Sequence, residues 1–217
     1  MHDSLKTWHG KMFDLQEESK KIDSILVTKE KELKTKQHEA ACANKESEII
    51  RKKLNPKKVV TIYKTSLKST KLDEMQLLIL CSKILINKDD PPKPEMEQIW
   101  KSSDLLFFKM TDFMLDPISI QKATKIKEEV KPILDSLNAE KAPKQQAKYS
   151  EHILIAQWIQ FACDHIILSG TVATLGKDLE KVRELIRYKH RKQRWMQSSN
   201  TYIPRAQALT STQRRMG

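Results

Sequence analysis

The sequence predicts an all-α protein: a helical head on a partial antiparallel coiled-coil stalk, with an extended basic C-terminal arm. Three observations predict it. Only four glycines and eight prolines stand among 217 residues rich in Lys, Glu and Leu, which disfavours a loop-rich β fold. From Glu151 to Ile186 the apolar residues Leu154, Trp158, Phe161, Leu168, Val172, Leu175, Leu179, Val182 and Ile186 alternate steps of four and three. His165 fills the one polar seam position, and a seam held this long marks a helix that packs first in a core and then along a partner helix. From Lys11 to Leu54 a thinner stripe (Met12, Leu15, Ile22, Leu26, Leu33, Ala40) is interrupted by Ser19, Lys29, Lys36 and Ser47, so it needs a partner helix to bury anything.

Four regions follow: 1–54 as an N-terminal long helix, 55–168 as the head, 169–196 as the return helix and 197–217 as the arm. Residues 1–10 are expected to fray. Asn55-Pro56 breaks the first helix. Residues 57–71 fit either a strand or one helical face through Val59, Val60, Ile62, Tyr63 and Leu67, and are taken as helix. Asp73 to Asn87 is an apolar helix, stopped by Asp89-Asp90-Pro91-Pro92-Lys93-Pro94. Glu95 to Lys109 restarts as one helix, and Thr111 to Leu115 is a short apolar segment ended by Asp116-Pro117. Ser119 to Leu137 is amphipathic through Ile120, Ala123, Ile126, Val130, Ile133 and Leu134, with Pro132 distorting its end. Asn138 to Tyr149 is a polar loop before the organising helix, in which Gly170 and Gly176 allow a kink. There is no internal repeat.

Composition bounds the chemistry. The chain is 39% hydrophobic and 31% charged with a net charge of +12, which suggests an acidic partner: nucleic acid, anionic lipid or an acidic protein surface. No window of 18 apolar residues is evident, so no membrane span is expected, and residues 1–11 lack the apolar segment of a signal peptide. Cys42, Cys81 and Cys163 are isolated thiols without C-x-x-C spacing, which favours a reducing compartment.

The basic run Arg183, Arg187, Lys189, His190, Arg191, Lys192 and Arg194, followed by Trp195, contains a single acid, Glu184. Such a run suits an acidic surface or nucleic acid better than a plain solvated face. In the arm, Arg205, Arg214 and Arg215 are candidates for the same kind of contact. Lysines from Lys122 to Lys148 are diluted by Glu128, Glu129 and Glu140, and a solvated surface and a binding face stay open for them. His165 near Cys163 lacks the further converging ligands of a zinc site, so no metal or other cofactor is expected. Asp164 and His165 are sequence neighbours that point apart on a helix, Cys81 reads as core, and no catalytic constellation is found; the chain is read as non-enzymatic.

The order of segments resembles the stalk tip of the dynein heavy chain, with its microtubule-binding domain. Met75 to Ile86 is similar to the first helix of that domain. Ile99-Trp100-Lys101 with Leu105-Leu106 resembles the second, Phe113 to Ile118 the third short segment and Ile126 to Leu134 the fourth helix. Ala156-Gln157-Trp158-Ile159 resembles the last helix, which runs into the return strand. The similarity spans about residues 57–187. A paired proline usual before the first helix is replaced by Thr70-Lys71-Leu72-Asp73, the return strand is short, and no G-x-x-x-x-G-K-[ST] motif is present. The resemblance implies a detached microtubule-binding module or a fragment of a longer chain. It makes Lys64, Lys68, Lys71 and Lys83 candidates for contact with tubulin. It also implies a cytoskeletal address, such as the axoneme of a cilium or flagellum, with tubulin or axonemal proteins as partners. A nucleic-acid-binding helical protein, or a coiled-coil adaptor binding only other proteins, are the alternatives.

Overall fold

The computed structural model describes residues 2–66, 72–139 and 143–213, and the side chains of 10–66, 73–139 and 149–198. Among the described residues there are seven helices and no strand: α1 (His2–Lys53), α2 (Pro56–Ser66), α3 (Leu72–Ile86), α4 (Lys93–Lys101), α5 (Ser103–Asp112), α6 (Ile120–Ala139) and α7 (Pro143–Gln213). Their contacts divide the chain into two units, residues 1–34 with 173–217, and residues 35–172.

In the first unit α1 and α7 run antiparallel. Glu30 pairs with Arg183 at 2.9 Å and Glu18 with Lys189, so one residue number rises as the other falls. Covered or half-covered positions follow a seam on each helix: Met12, Leu15, Ser19, Ile22, Leu26, Lys29 and Leu33 on α1, and Leu175, Leu179, Val182, Ile186, Lys189, Gln193 and Met196 on α7. Steps of three and four keep such positions on one side of a helix. Leu179 is 1% exposed.

The second unit is built around α3. Leu77, Leu78, Leu80, Cys81, Ser82, Ile84 and Leu85 are all buried, so this helix is covered nearly all round, as the apolar runs on either side of Ser82-Lys83 require. It packs on α6, whose Ala123, Ile126, Val130, Ile133 and Leu137 make one buried stripe, while α2 packs on α3, α4 and α5. Pro132 stands on the exposed side of α6, which continues past it. The part of α7 in this unit contributes Ile155, Ala156, Trp158, Ile159, Ala162 and Cys163 to the same core. His165 Nδ1 donates to the Ala40 carbonyl at 2.8 Å, which ties α7 to α1 inside this unit and accounts for the polar residue on the seam.

Local chemistry sets the helix ends. The Asn55 side-chain oxygen accepts from the Lys57 and Lys58 N–H groups at 3.0 and 3.3 Å, and Pro56 takes the first helical position, so Asn55-Pro56 ends α1 and starts α2. Asn87 has φ 57°, the left-handed conformation that closes α3. Ser102 divides residues 95–109, read as one helix from sequence: its hydroxyl accepts from the Leu105 N–H at 3.3 Å and caps α5. Of the expected polar loop over 138–149, residues 138–139 belong to α6 and 143–149 to α7, while 140–142 lie outside the described residues; Pro143 at a first helical position loses no hydrogen bond.

Other expectations differ from the structure. Residues 2–10 belong to α1, since extending a formed helix is far easier than starting one. The segment read as an extended arm, 197–217, is helical through Gln213; Arg205, Ala206, Gln207, Ala208 and Leu209 are all good helix formers adjoining a long helix. Its Arg214 and Arg215 lie outside the described residues. One helix, Tyr149–Ser198, does contain an 18-residue window of mean hydropathy 1.3, long and apolar enough by composition to cross a membrane. This helix is part of α7, 39% of the window is buried, and Ile155, Trp158, Ile159 and Ile166 of the same helix lie in the core of the second unit. At Gly170 an added Cβ would stand 2.1 Å from Ile120 Cδ1, so the glycine leaves room for the Ile120 side chain to lie against α7. At Gly176 the space is open.

Candidate partner-binding surface

On α7 of the first unit the seam decides which basic residues face outward. Leu175, Leu179, Val182, Ile186, Lys189, Gln193 and Met196 turn toward α1, so Tyr188, Arg191 and Trp195 fall on the outer side, flanked by Arg187 and Arg194. Tyr188 is 56% and Trp195 69% exposed. Arg187 is exposed and bonds Glu180 at 3.3 Å. Arg191, Lys192 and Arg194 are exposed. Lys189 differs: its side chain is 17% exposed and pairs with Glu18, so it holds the two helices together and is turned away from an outside partner. The hydrogen bond and charge of Lys189 hold the Glu18 carboxyl below the usual glutamate range, with Lys192 and Lys21 adding to the effect.

In the second unit Lys64 stands exposed on α2 beside exposed Lys57 and Thr61, opposite the buried Val59, Ile62 and Tyr63. Lys83 is half-buried in the last turn of α3. Lys68 and Lys71 lie outside the described residues, and the Arg205 side chain does too.

Sequence reasoning missed a cleft of about 540 Å³ lined by Lys57, Lys58, Thr61, Ile62, Thr65, Glu74, Tyr149, Glu151 and His152. Lys58 pairs with the buried Glu151 at 3.1 Å, and the Ser150 hydroxyl donates to the same carboxylate. Burial pushes the Glu151 carboxyl up, but the hydrogen bonds from Ser150 and Lys58 outweigh it and hold it below the ordinary value. A carboxylate so engaged serves as an anchor for α2 against α7. The His152 ring packs edge-on against Tyr149, with centroids 5.6 Å apart. Among the described residues no three His, Cys, Asp or Glu side chains gather as a metal site. Tyr188 was the other omission; extending the four-three spacing past Ile186 would have placed it outward with Trp195.

These features define an all-helical protein that presents basic faces on α2 and α7. Comparison with protein-family models, with curated proteins and with solved structures gives no match.

Proposed function

We propose that the chain is a non-enzymatic, microtubule-associated structural module of the cytoskeleton, of the kind used in the axoneme of a cilium or flagellum. In this reading residues 1–34 and 173–196 form an antiparallel coiled-coil stalk. The unit of residues 35–172 is the head, and lysines on and near α2 bind the acidic surface of tubulin or of a neighbouring axonemal protein. The observation that carries the reading is the antiparallel pairing of α1 with α7 through Glu30–Arg183 and Glu18–Lys189, with heptad-spaced covered positions on both helices. The resemblance to the dynein stalk tip calls for that pairing, and exposed Lys57 and Lys64 supply the charge. Arg205, Arg214 and Arg215 extend the basic contact toward a neighbour.

Co-sedimentation with microtubules in a salt series, with RNA and DNA as competitors, tests this. The chain should pellet with microtubules, lose binding as salt rises, and lose it in Lys57→Glu/Lys64→Glu. Absence from the pellet, or complete displacement by RNA at equal charge concentration, contradicts it and favours a nucleic-acid partner.

A further inference from the structure

The first unit carries a second stripe beside its seam. Leu185, Tyr188, Lys192 and Trp195 follow one another at steps of three, four and three, the spacing of a helix–helix seam. Leu185 is 44%, Tyr188 56% and Trp195 69% exposed, so two-helix pairing leaves this stripe uncovered. The flank it occupies is fixed by charge: Glu18 of α1 pairs with Lys189 and feels the charge of Lys192, so Lys192 and Glu18 share one side of the pair. One heptad along that side lie Ile25 on α1, 47% exposed, and Leu185 on α7. Arg183 and Glu30 close the opposite flank.

We propose that this flank docks a third helix from another protein, an amphipathic helix with acidic residues beside its apolar stripe. The apolar spacing selects a helix, since knobs at three-four steps fit holes at three-four steps. Tyr and Trp supply large contact areas of the kind that dominate interface energies. Charge selects the sign: Lys192 within the stripe, Arg191 beside it and Lys21 on α1 are exposed, and they outnumber Glu184 and Glu18, the latter already paired with Lys189. A second copy of this chain would bring the same cations face to face. The proposal goes beyond microtubule binding and uses none of the α2 lysines, so its failure leaves that reading standing.

The test uses the full chain and two labelled helical peptides of about four heptads, with Leu on the seam and either Glu or Lys at the flanking positions. Fluorescence anisotropy reads binding. The Glu peptide should bind roughly tenfold tighter than the Lys peptide. Leu185→Ser/Tyr188→Ser, which leaves every charge in place, should abolish binding, and Arg191→Glu/Lys192→Glu should reverse the preference. Circular dichroism checks that both variants stay helical. Equal binding of the two peptides, binding of neither, tighter binding of a uridine oligonucleotide, or self-association of the chain in sedimentation equilibrium overturns the proposal.

Discussion

Replacing Trp158 by alanine removes the side chain around which the part of α7 in the second unit is packed. Trp158 is fully buried, its ring meets Phe113 edge-on with centroids 5.5 Å apart, and Ile155, Ile159 and Ala162 beside it on α7 are also at 0% exposure. Truncation at so fully buried a position leaves a cavity in the core and should cost about 3–5 kcal/mol. That is a large share of the roughly 5–15 kcal/mol that holds a domain together. A second feature sharpens the prediction: the Trp158 Nε1–H is buried without a hydrogen-bond partner among the described residues. An unpaired buried donor costs about 1–3 kcal/mol, so Trp158→Phe removes a penalty along with some packing and should lose only about 1 kcal/mol. Trp100 is the control, because its Nε1–H donates to the Ser82 hydroxyl at 2.9 Å and that hydroxyl donates to the Leu78 carbonyl at 2.8 Å. Trp100→Phe loses packing and a satisfied hydrogen bond together, and should be the costlier phenylalanine variant. Urea unfolding followed by circular dichroism measures all three, with midpoints compared at constant slope. A loss under about 1 kcal/mol for Trp158→Ala would refute the packing argument.

Thiol chemistry should separate the cysteines. Burial pushes the Cys163 thiol up to about 12, helped by the Asp164 charge, and raises Cys81 further, whereas Cys42 is exposed. A disulfide reagent should therefore titrate one thiol in the native protein and all three in denaturant; a second fast thiol would show that the core opens. Gly176→Ala, in open space within α7, should stabilise by about 0.5–1 kcal/mol, read from the thermal midpoint, and a loss would mean that the position is not helical. The Glu18 carboxyl has a folded pKa below its unfolded value. Its contribution is therefore present above the ordinary glutamate range and lost as pH falls through the depressed value. Glu18→Gln should flatten that acid dependence in a pH series of helix content, and an unchanged profile would contradict the Glu18–Lys189 pair.

Patterns carried by consecutive residues were legible. Asn55-Pro56 holds its own capping oxygen and its own restricted φ, so the break between α1 and α2 needs nothing from elsewhere in the chain. The stripe of α6 and the apolar run Leu77 to Cys81 of α3 give their burial by spacing alone. Features that depend on distant partners were not legible. Ser102 sits in a run that fits one helix, and only the packing of α4 on α5 selects the capped break. Gly170 reads as a weak point in a helix, but the Ile120 side chain lying against it is set by the fold. His165 stood out as a polar intruder, and its acceptor, the Ala40 carbonyl, is 125 residues away. The candidate site divides the same way. The charge on α7 is visible in sequence, yet whether Lys189 faces a partner or Glu18 depends on register against α1. The cleft beside α2 joins residues from three helices and leaves no local signature.

A cryo-electron microscopy map of microtubules decorated with the purified chain tests the central claim most directly. The account predicts density for the unit of residues 35–172 on the tubulin lattice, with the exposed face of α2 that carries Lys57 and Lys64 turned toward acidic tubulin residues. A bare lattice at saturating protein, or density in which α2 faces solvent, would contradict it.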